Sequence, residues 1–447
     1  MHEAVQLLSN GDVKGASKLI CEAMREDIFI CYRNELQDYI FNNRERLNAR
    51  NIYLGAREMI LKSSRINAVK AGLSIMRCFG QQDDELKAAM RKLALYEDLT
   101  VYVVCCMLDW EHANDEIFEI AKNTYSYGRV LAAHYLEPET DEIRRWFLCE
   151  YPHNCAVRFD YSALGAWKKS NAREKLFGEL TREEFDGIEN FIDIMLADSL
   201  TRDRTSEECT PEVLARFLEQ CGSFELNGQD YSIIYMIREF ATDTDGYEEI
   251  ASDCTDMLTS AECEMAIKQD LSEGSCFELA YLLDIPFADE LMECLRSDFE
   301  NYCHLAKLII GDEEYHDEYE EYHDEIVDLF RQNMLLNGRF RETPDESDTI
   351  DVIPGQYDII FYAVGYVLIN EAPEFAIAGL YSRYEEIRLD TLYDVIRWVR
   401  DNKTPLKELS GEFYDAAKYA YSLEQDDKYK NLFERLLGGE TEFEEIY

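Results

Sequence analysis

The chain has 447 residues, 47% of them hydrophobic and 12% aromatic, with 45 Lys and Arg against 92 Asp and Glu for a net charge of −47. That much apolar side chain excludes an intrinsically disordered acidic protein, and the length exceeds one ordinary core, so the chain is several domains or an elongated array. The sign of the charge disfavours nucleic acid and anionic membrane as partners, because both are held chiefly by Lys and Arg.

The start, Met1-His2-Glu3-Ala4-Val5-Gln6-Leu7-Leu8, has neither the basic lead nor the apolar stretch of an export signal. No run approaches the roughly 18 apolar residues that cross a bilayer. With 14 cysteines scattered outside any disulfide framework, these readings predict a cytoplasmic chain whose cysteines are small core residues. Residues 33–92 are mildly basic, with 12 Lys and Arg against 7 Asp and Glu. Arg65-Ile66-Asn67-Ala68 and Arg129-Val130-Leu131-Ala132 share an Arg, a β-branched residue and an Ala at 64 residues' separation, which suggests two units of about 32. Cys105 and Cys106, as helix neighbours, point about 100° apart and cannot share a metal or form an ordinary disulfide. His153-Asn154-Cys155 offers a nucleophile with its base, but residues two apart on a turn rarely present that geometry. Lys168-Lys169, with Trp167 beside them, reads as an exposed helix end rather than a nucleic-acid patch.

Farther along, Ile188, Phe191, Ile192, Met195, Leu196 and Leu200 fall on one helical stripe. A break follows at 201–210, and Thr210-Pro211-Glu212 opens the next helix, with Pro in the first turn. Residues 241–246 imitate part of a calcium loop, but Ala241 and Ser252 stand where ligands are required, so an inter-helix turn is expected. Residues 242–329 then hold 27 acidic and 3 basic residues. Within them Glu314-Tyr315-His316-Asp317-Glu318 recurs one heptad later as Glu321-Tyr322-His323-Asp324-Glu325, and on a helix His316, Glu320 and His323 share one face. Two imidazoles and a carboxylate at that spacing are a candidate divalent-metal site, weighed against an acidic helix packing its tyrosines on a neighbour. The Pro-, Gly- and acid-rich stretch 338–355 predicts a hinge or exposed loop. Ile359–Ile369 fits a buried helix, and Ala372-Pro373-Glu374 another helix start. Glu386-Ile387-Arg388-Leu389-Asp390-Thr391-Leu392 resembles the second-helix signature of HEAT repeats. Two further stripes follow, Leu389, Leu392, Val395, Ile396 and Val399, then Tyr429, Leu432, Phe433, Leu436 and Leu437.

No convincing period-2 strand interrupts this pattern. The expected fold is all-α without significant sheet, an α-solenoid of stacked helix pairs of HEAT or armadillo type, with some twenty to twenty-four helices. Provisional blocks are 1–200, 211–337 and 356–447, within one continuous superhelix.

Residues 66–161 resemble a group of bacterial helical-repeat proteins, mainly from Firmicutes, some of which carry a limonene-hydroxylase label. The residues bearing the resemblance are Ala68–Leu73, Asn114–Lys122, Tyr127–Val130 and Leu136–Trp146. The chain departs from the group's pattern at Ser126-Tyr127, where Gly-Trp is usual, and at Tyr151–Cys155. The resemblance implies a HEAT- or armadillo-like fold and carries over no catalytic residue.

Hydroxylation would need haem, flavin or iron, yet the chain has no haem-type Cys loop, dinucleotide Gly-x-Gly-x-x-Gly, phosphate loop or His-Glu-x-x-His. The expectation is therefore a non-catalytic interaction scaffold without cofactors, which takes a basic protein or peptide, with self-association as a further outcome. The alternatives are a metal-dependent enzyme with an acidic groove around His316 and His323, and a HEAT-like nucleic-acid binder using residues 33–92.

Overall fold

Helix starts in this chain are marked by short polar side chains. Asp83, Thr140, Thr210, Ser260 and Ser410 each stand just before a helix and accept from the backbone N–H three residues on, satisfying a donor the helix cannot. Such a cap contributes about 1 kcal/mol. A computed structural model describes residues 1–24, 32–80, 82–152, 160–197, 207–310, 319–333, 369, 372–382 and 385–443. Among these every regular element is a helix, as expected. No described helix is long and apolar enough to cross a membrane.

The chain divides into two compact units, residues 1–225 with 233–255 and residues 226–232 with 256–447. In the first unit the helices are α1 (His2–Ser9), α2 (Val13–Ala23), α3 (Arg33–Asn42), α4 (Ala49–Lys62), α5 (Ile66–Met76), α6 (Asp84–Leu93), α7 (Glu97–Met107), α8 (Ala113–Asn123), α9 (Ser126–Tyr135), α10 (Asp141–Cys149), α11 (Asp160–Ser170), α12 (Ala172–Leu176), α13 (Arg182–Ala197) and α14 (Pro211–Cys221). Sequence neighbours pair, α4 with α5, α6 with α7, α8 with α9 and α10 with α11. Alternate helices also pack in series, α5 on α7, α7 on α9 and α9 on α11. Every residue of α7 from Leu99 to Met107 is buried, so the helix is apolar all round because it has neighbours all round. Farther along, Trp146 is ringed by Phe118, Phe147 and Tyr151 at centroid distances of 5.1–5.7 Å.

α5 and α9 flank α7, so the 64-residue repetition spans two pairs. Its register is shifted by about a turn. Arg65 is the exposed residue before α5, whereas Arg129 is the fourth residue of α9 and is buried with its guanidinium 5.1 Å over Trp146. The shared letters therefore serve different environments.

Helices α15 (Gly228–Thr242) and α16 (Glu248–Leu258) follow, then α17 (Ala261–Ser272), α18 (Phe277–Leu282), α19 (Ala288–Ser297), α20 (Phe299–Tyr302), a 3-10 turn at Cys303–Ala306, α21 (Lys307–Ile310) and α22 (Glu320–Asn333). The last group is α23 (Pro373–Leu380), α24 (Glu385–Asn402), α25 (Leu406–Leu409), α26 (Gly411–Leu423) and α27 (Asp427–Leu437). The expected stripes form its core, with Leu392, Val395, Ile396 and Val399 of α24 meeting Leu432, Phe433 and Leu436 of α27 and Phe413 of α26. The anticipated break at 338–355 and residues 201–206 of the one at 201–210 lie outside the described residues, as does Ile359–Leu368.

Ion pairs between helices run mostly in one direction along the chain. Arg57 pairs with Asp83 at 3.0 Å and with Glu85, Lys70 with Asp98 at 3.4 Å, Arg91 with Glu116 at 2.5 Å and Arg173 with Glu212 at 3.4 Å. In the second unit Arg296 pairs with Glu325 and Arg331 with Glu374, both at 2.6 Å. In each the base comes earlier in the chain; Lys307–Glu278 runs the other way. The helix dipole accounts for the bias, since acids favour first turns, as at Glu116, Glu212 and Glu374, and bases favour last turns, as at Arg91, Arg296 and Arg331. Each pair is half-exposed and worth at most about 1 kcal/mol.

Candidate partner-binding cleft

The second unit holds a cleft of about 500 Å³ in its most acidic sequence. Its wall is the turn between α17 and α18, completed by Asn227, Gln229 and Ser232 at the start of α15 and by His304 and Leu305. The turn is built by a helix-ending motif. Ser275 N–H donates to Asp270 O and Gly274 N–H to Leu271 O, both at 3.0 Å, with Gly274 in the left-handed region at φ +82°. A side chain on Gly274 would also strike the Tyr302 hydroxyl, 2.5 Å from the position of a Cβ. Opposite, Asn227 and Asp230 cap α15 reciprocally, each N–H donating to the other's side-chain oxygen at 2.8 and 3.1 Å.

Asp270 joins the two walls. Its Oδ2 accepts from Gly228 N–H at 2.7 Å and lies 3.6 Å from Cys276 Sγ. Glu273 and Glu278 lie at the rim and are exposed. Glu278 stands 3.6 Å from Lys307, the one Lys or Arg among the described residues that pairs with a lining carboxylate. Burial, with Asp270 adding to it, pushes the Cys276 thiol up to about 11. At neutral pH it is a thiol, a poor nucleophile, and the site is suited to holding cations through its carboxylates.

Other residues singled out by sequence fall as follows. His316 lies outside the described residues, Glu320 is the first residue of α22, and His323 is buried on the same helix with 8% exposure. His153-Asn154-Cys155 is likewise outside them. Residues 243–246 form the expected inter-helix turn, with Asp243 and Asp245 exposed and Gly246 at φ +87°. Cys105 and Cys106 are both buried and diverge, Cys105 receiving Arg33 Nη1–H at 3.3 Å and Cys106 Sγ lying 3.2 Å from Leu73 O. None of the described cysteines is in a disulfide. Burial pushes Cys209 and Cys254 up to about 12.

Lys168-Lys169 lies in the last turn of α11 as expected, with Lys168 exposed, but Lys169 departs from that expectation. Trp167 is buried and its indole N–H donates to Glu208 at 3.1 Å, while Lys168 pairs with Glu208 at 3.0 Å. Lys169 turns inward and donates to three carbonyls, Ala133, His134 and Leu136, at 2.7–3.0 Å. It thereby caps the C-terminus of α9, where the helix dipole is negative, although burial lowers its pKa. Only Lys168 of the pair remains at the surface.

The acidic cleft itself was not picked out from sequence. Its lining residues are separated by up to 78 positions, and the only local signals are Gly274 and the acid run around it. In comparisons with protein-family models, curated proteins and solved structures, nothing matches the chain.

Proposed function

We propose that the chain is a non-catalytic interaction scaffold, an α-solenoid of HEAT or armadillo type, whose acidic cleft takes a basic segment of a partner protein. The observation that carries this reading is the cleft, where Asp270, Glu273 and Glu278 converge on a concave surface within a segment of 27 acidic and 3 basic residues. The serial packing of α5, α7, α9 and α11, each with its own partner helix, supports the solenoid. Buried, high-pKa thiols support a reducing, cytoplasmic setting.

The test is fluorescence anisotropy of a Lys/Arg-rich peptide with the full chain and with Glu273→Lys/Glu278→Lys, two exposed changes that leave the Asp270 bridge intact. Binding should weaken at least tenfold in the variant and steeply with salt. Equal affinity for both proteins, or binding indifferent to 0.5 M salt (roughly a 4 Å screening length), would refute the cleft as the site.

A further inference from the structure

The first unit carries a second cleft of opposite character, between α3, α4 and the end of α5, with a volume of about 570 Å³. Its floor is apolar, with Ile40, Leu47, Ile52 and Phe79. Phe41 stands at its edge with 65% of its surface exposed and the Arg44 guanidinium 4.9 Å over its ring. Nothing in the core requires that exposure, and a cation–aromatic pair at the mouth of an apolar cleft is a common form of recognition surface.

The charges around the cleft are also unusual for this chain. Most described arginines of the unit are committed to carboxylates, as Arg57, Arg77, Arg91, Arg145 and Arg173 are. Arg44 lines the cleft, and Arg46 and Arg50 flank the lining residues Leu47 and Ala49 in sequence; all three are exposed and none pairs with a described carboxylate, although Asp38 in the lining and Glu45 in the turn are close in sequence. In a chain of net charge −47, three uncommitted arginines within seven residues are a local concentration of positive charge. An apolar floor rules against a phosphate backbone as the main ligand, which needs cations and N–H donors rather than a greasy pocket.

The geometry points to a docking site for a short acidic peptide segment bearing one bulky apolar side chain. The apolar side chain fills the cleft against Phe41 and Phe79, and flanking carboxylates pair with Arg44, Arg46 and Arg50, bidentate pairs to arginine being the strong ones. The site is independent of the acidic cleft, and it makes the protein a binder of two segments of opposite charge.

The test uses the full chain and a fluorescent Glu/Asp-rich peptide with one central Phe, read by anisotropy, alongside the same peptide with Ala in place of Phe and a 20-nucleotide single-stranded DNA. Binding of the Phe peptide is expected, weakened at least fivefold by the Ala peptide and by Phe41→Ala, and at least tenfold by Arg44→Glu. Lys18→Glu, an exposed change of equal charge elsewhere in the unit, should leave the affinity within twofold. Phe41 and Arg44 are exposed, so their variants should keep the parent's helical circular dichroism and melting temperature. The proposal is overturned if the Phe and Ala peptides bind alike, if Lys18→Glu weakens binding as much as Arg44→Glu, if DNA binds more tightly than the Phe peptide, or if no binding is seen.

Discussion

Two glycines in helix interiors should respond in opposite directions to the same substitution. Gly187 lies in α13 where it crosses α10, and a Cβ there would stand 2.1 Å from Leu148 O and 2.9 Å from Leu148 C. That is more than about 1 Å inside van der Waals contact. The obstacle is main chain, which cannot rotate away, so Gly187→Ala must part α10 from α13 around Trp146, Phe147, Ile188 and Phe191. Overpacking of this kind costs about 1–3 kcal/mol, and alanine's better helix propensity returns about 1 kcal/mol. With the obstacle rigid, the upper part of that range applies, leaving a net loss of about 1–2 kcal/mol. Gly165 in α11 is exposed and has no atom within 4 Å of its Cβ position, so Gly165→Ala keeps the propensity gain alone, about 0.5–1 kcal/mol. In a unit of this size about 2–4 °C accompanies each kcal/mol. Thermal unfolding followed at 222 nm should therefore show Gly187→Ala lowered by about 2–8 °C and Gly165→Ala raised by up to about 4 °C. If Gly187→Ala melts at or above the parent, the close approach of α10 and α13 is wrong.

Two other consequences concern charge. Lys169→Met keeps the length of the side chain but strips three carbonyls of their donor, and chemical denaturation should show a loss of about 1–3 kcal/mol, larger than for Lys168→Met. Asp394 on α24 is held up to about 7, first by burial and then by Asp390 one turn before it, against the opposing pull of Arg397. Since its unfolded value is near 3.9, the folded chain retains the proton longer, so stability is greatest below about pH 4 for this group and is lost as pH rises through about 7. At about 1.4 kcal/mol per unit the loss is no more than about 4 kcal/mol. Asp394→Asn should then raise the melting temperature at pH 8 far more than at pH 4.5; equal gains at both would count against the shift.

What the sequence disclosed follows from how local each determinant is. Thr210 and Pro211 open α14 as read, because a cap and a first-turn proline act within four residues. The stripes of α13, α24 and α27 were legible because one helix face meets one core. Register was not. Arg65 and Arg129 share a motif, yet one is exposed and the other lies on Trp146, since the tertiary neighbour and not the motif sets the environment. Lys169 looked like surface because its three acceptors are 33–36 residues earlier. The acidic cleft depends on Gly228, Asp270 and Cys276 meeting across 42 and 48 positions, which no spacing rule foretells.

The directional bias of the ion pairs has a bearing on how a helical chain changes length. A unit that offers an acid to its predecessor and a base to its successor carries its own connectors at both ends. It can be duplicated, removed or grafted as a whole, and the new junction will again place opposite charges together. An inverted unit would set base against base and acid against acid. The bias of side chains toward helix ends thus gives the helices a grammar of joining, and that grammar leaves the faces between junctions free to diverge in sequence.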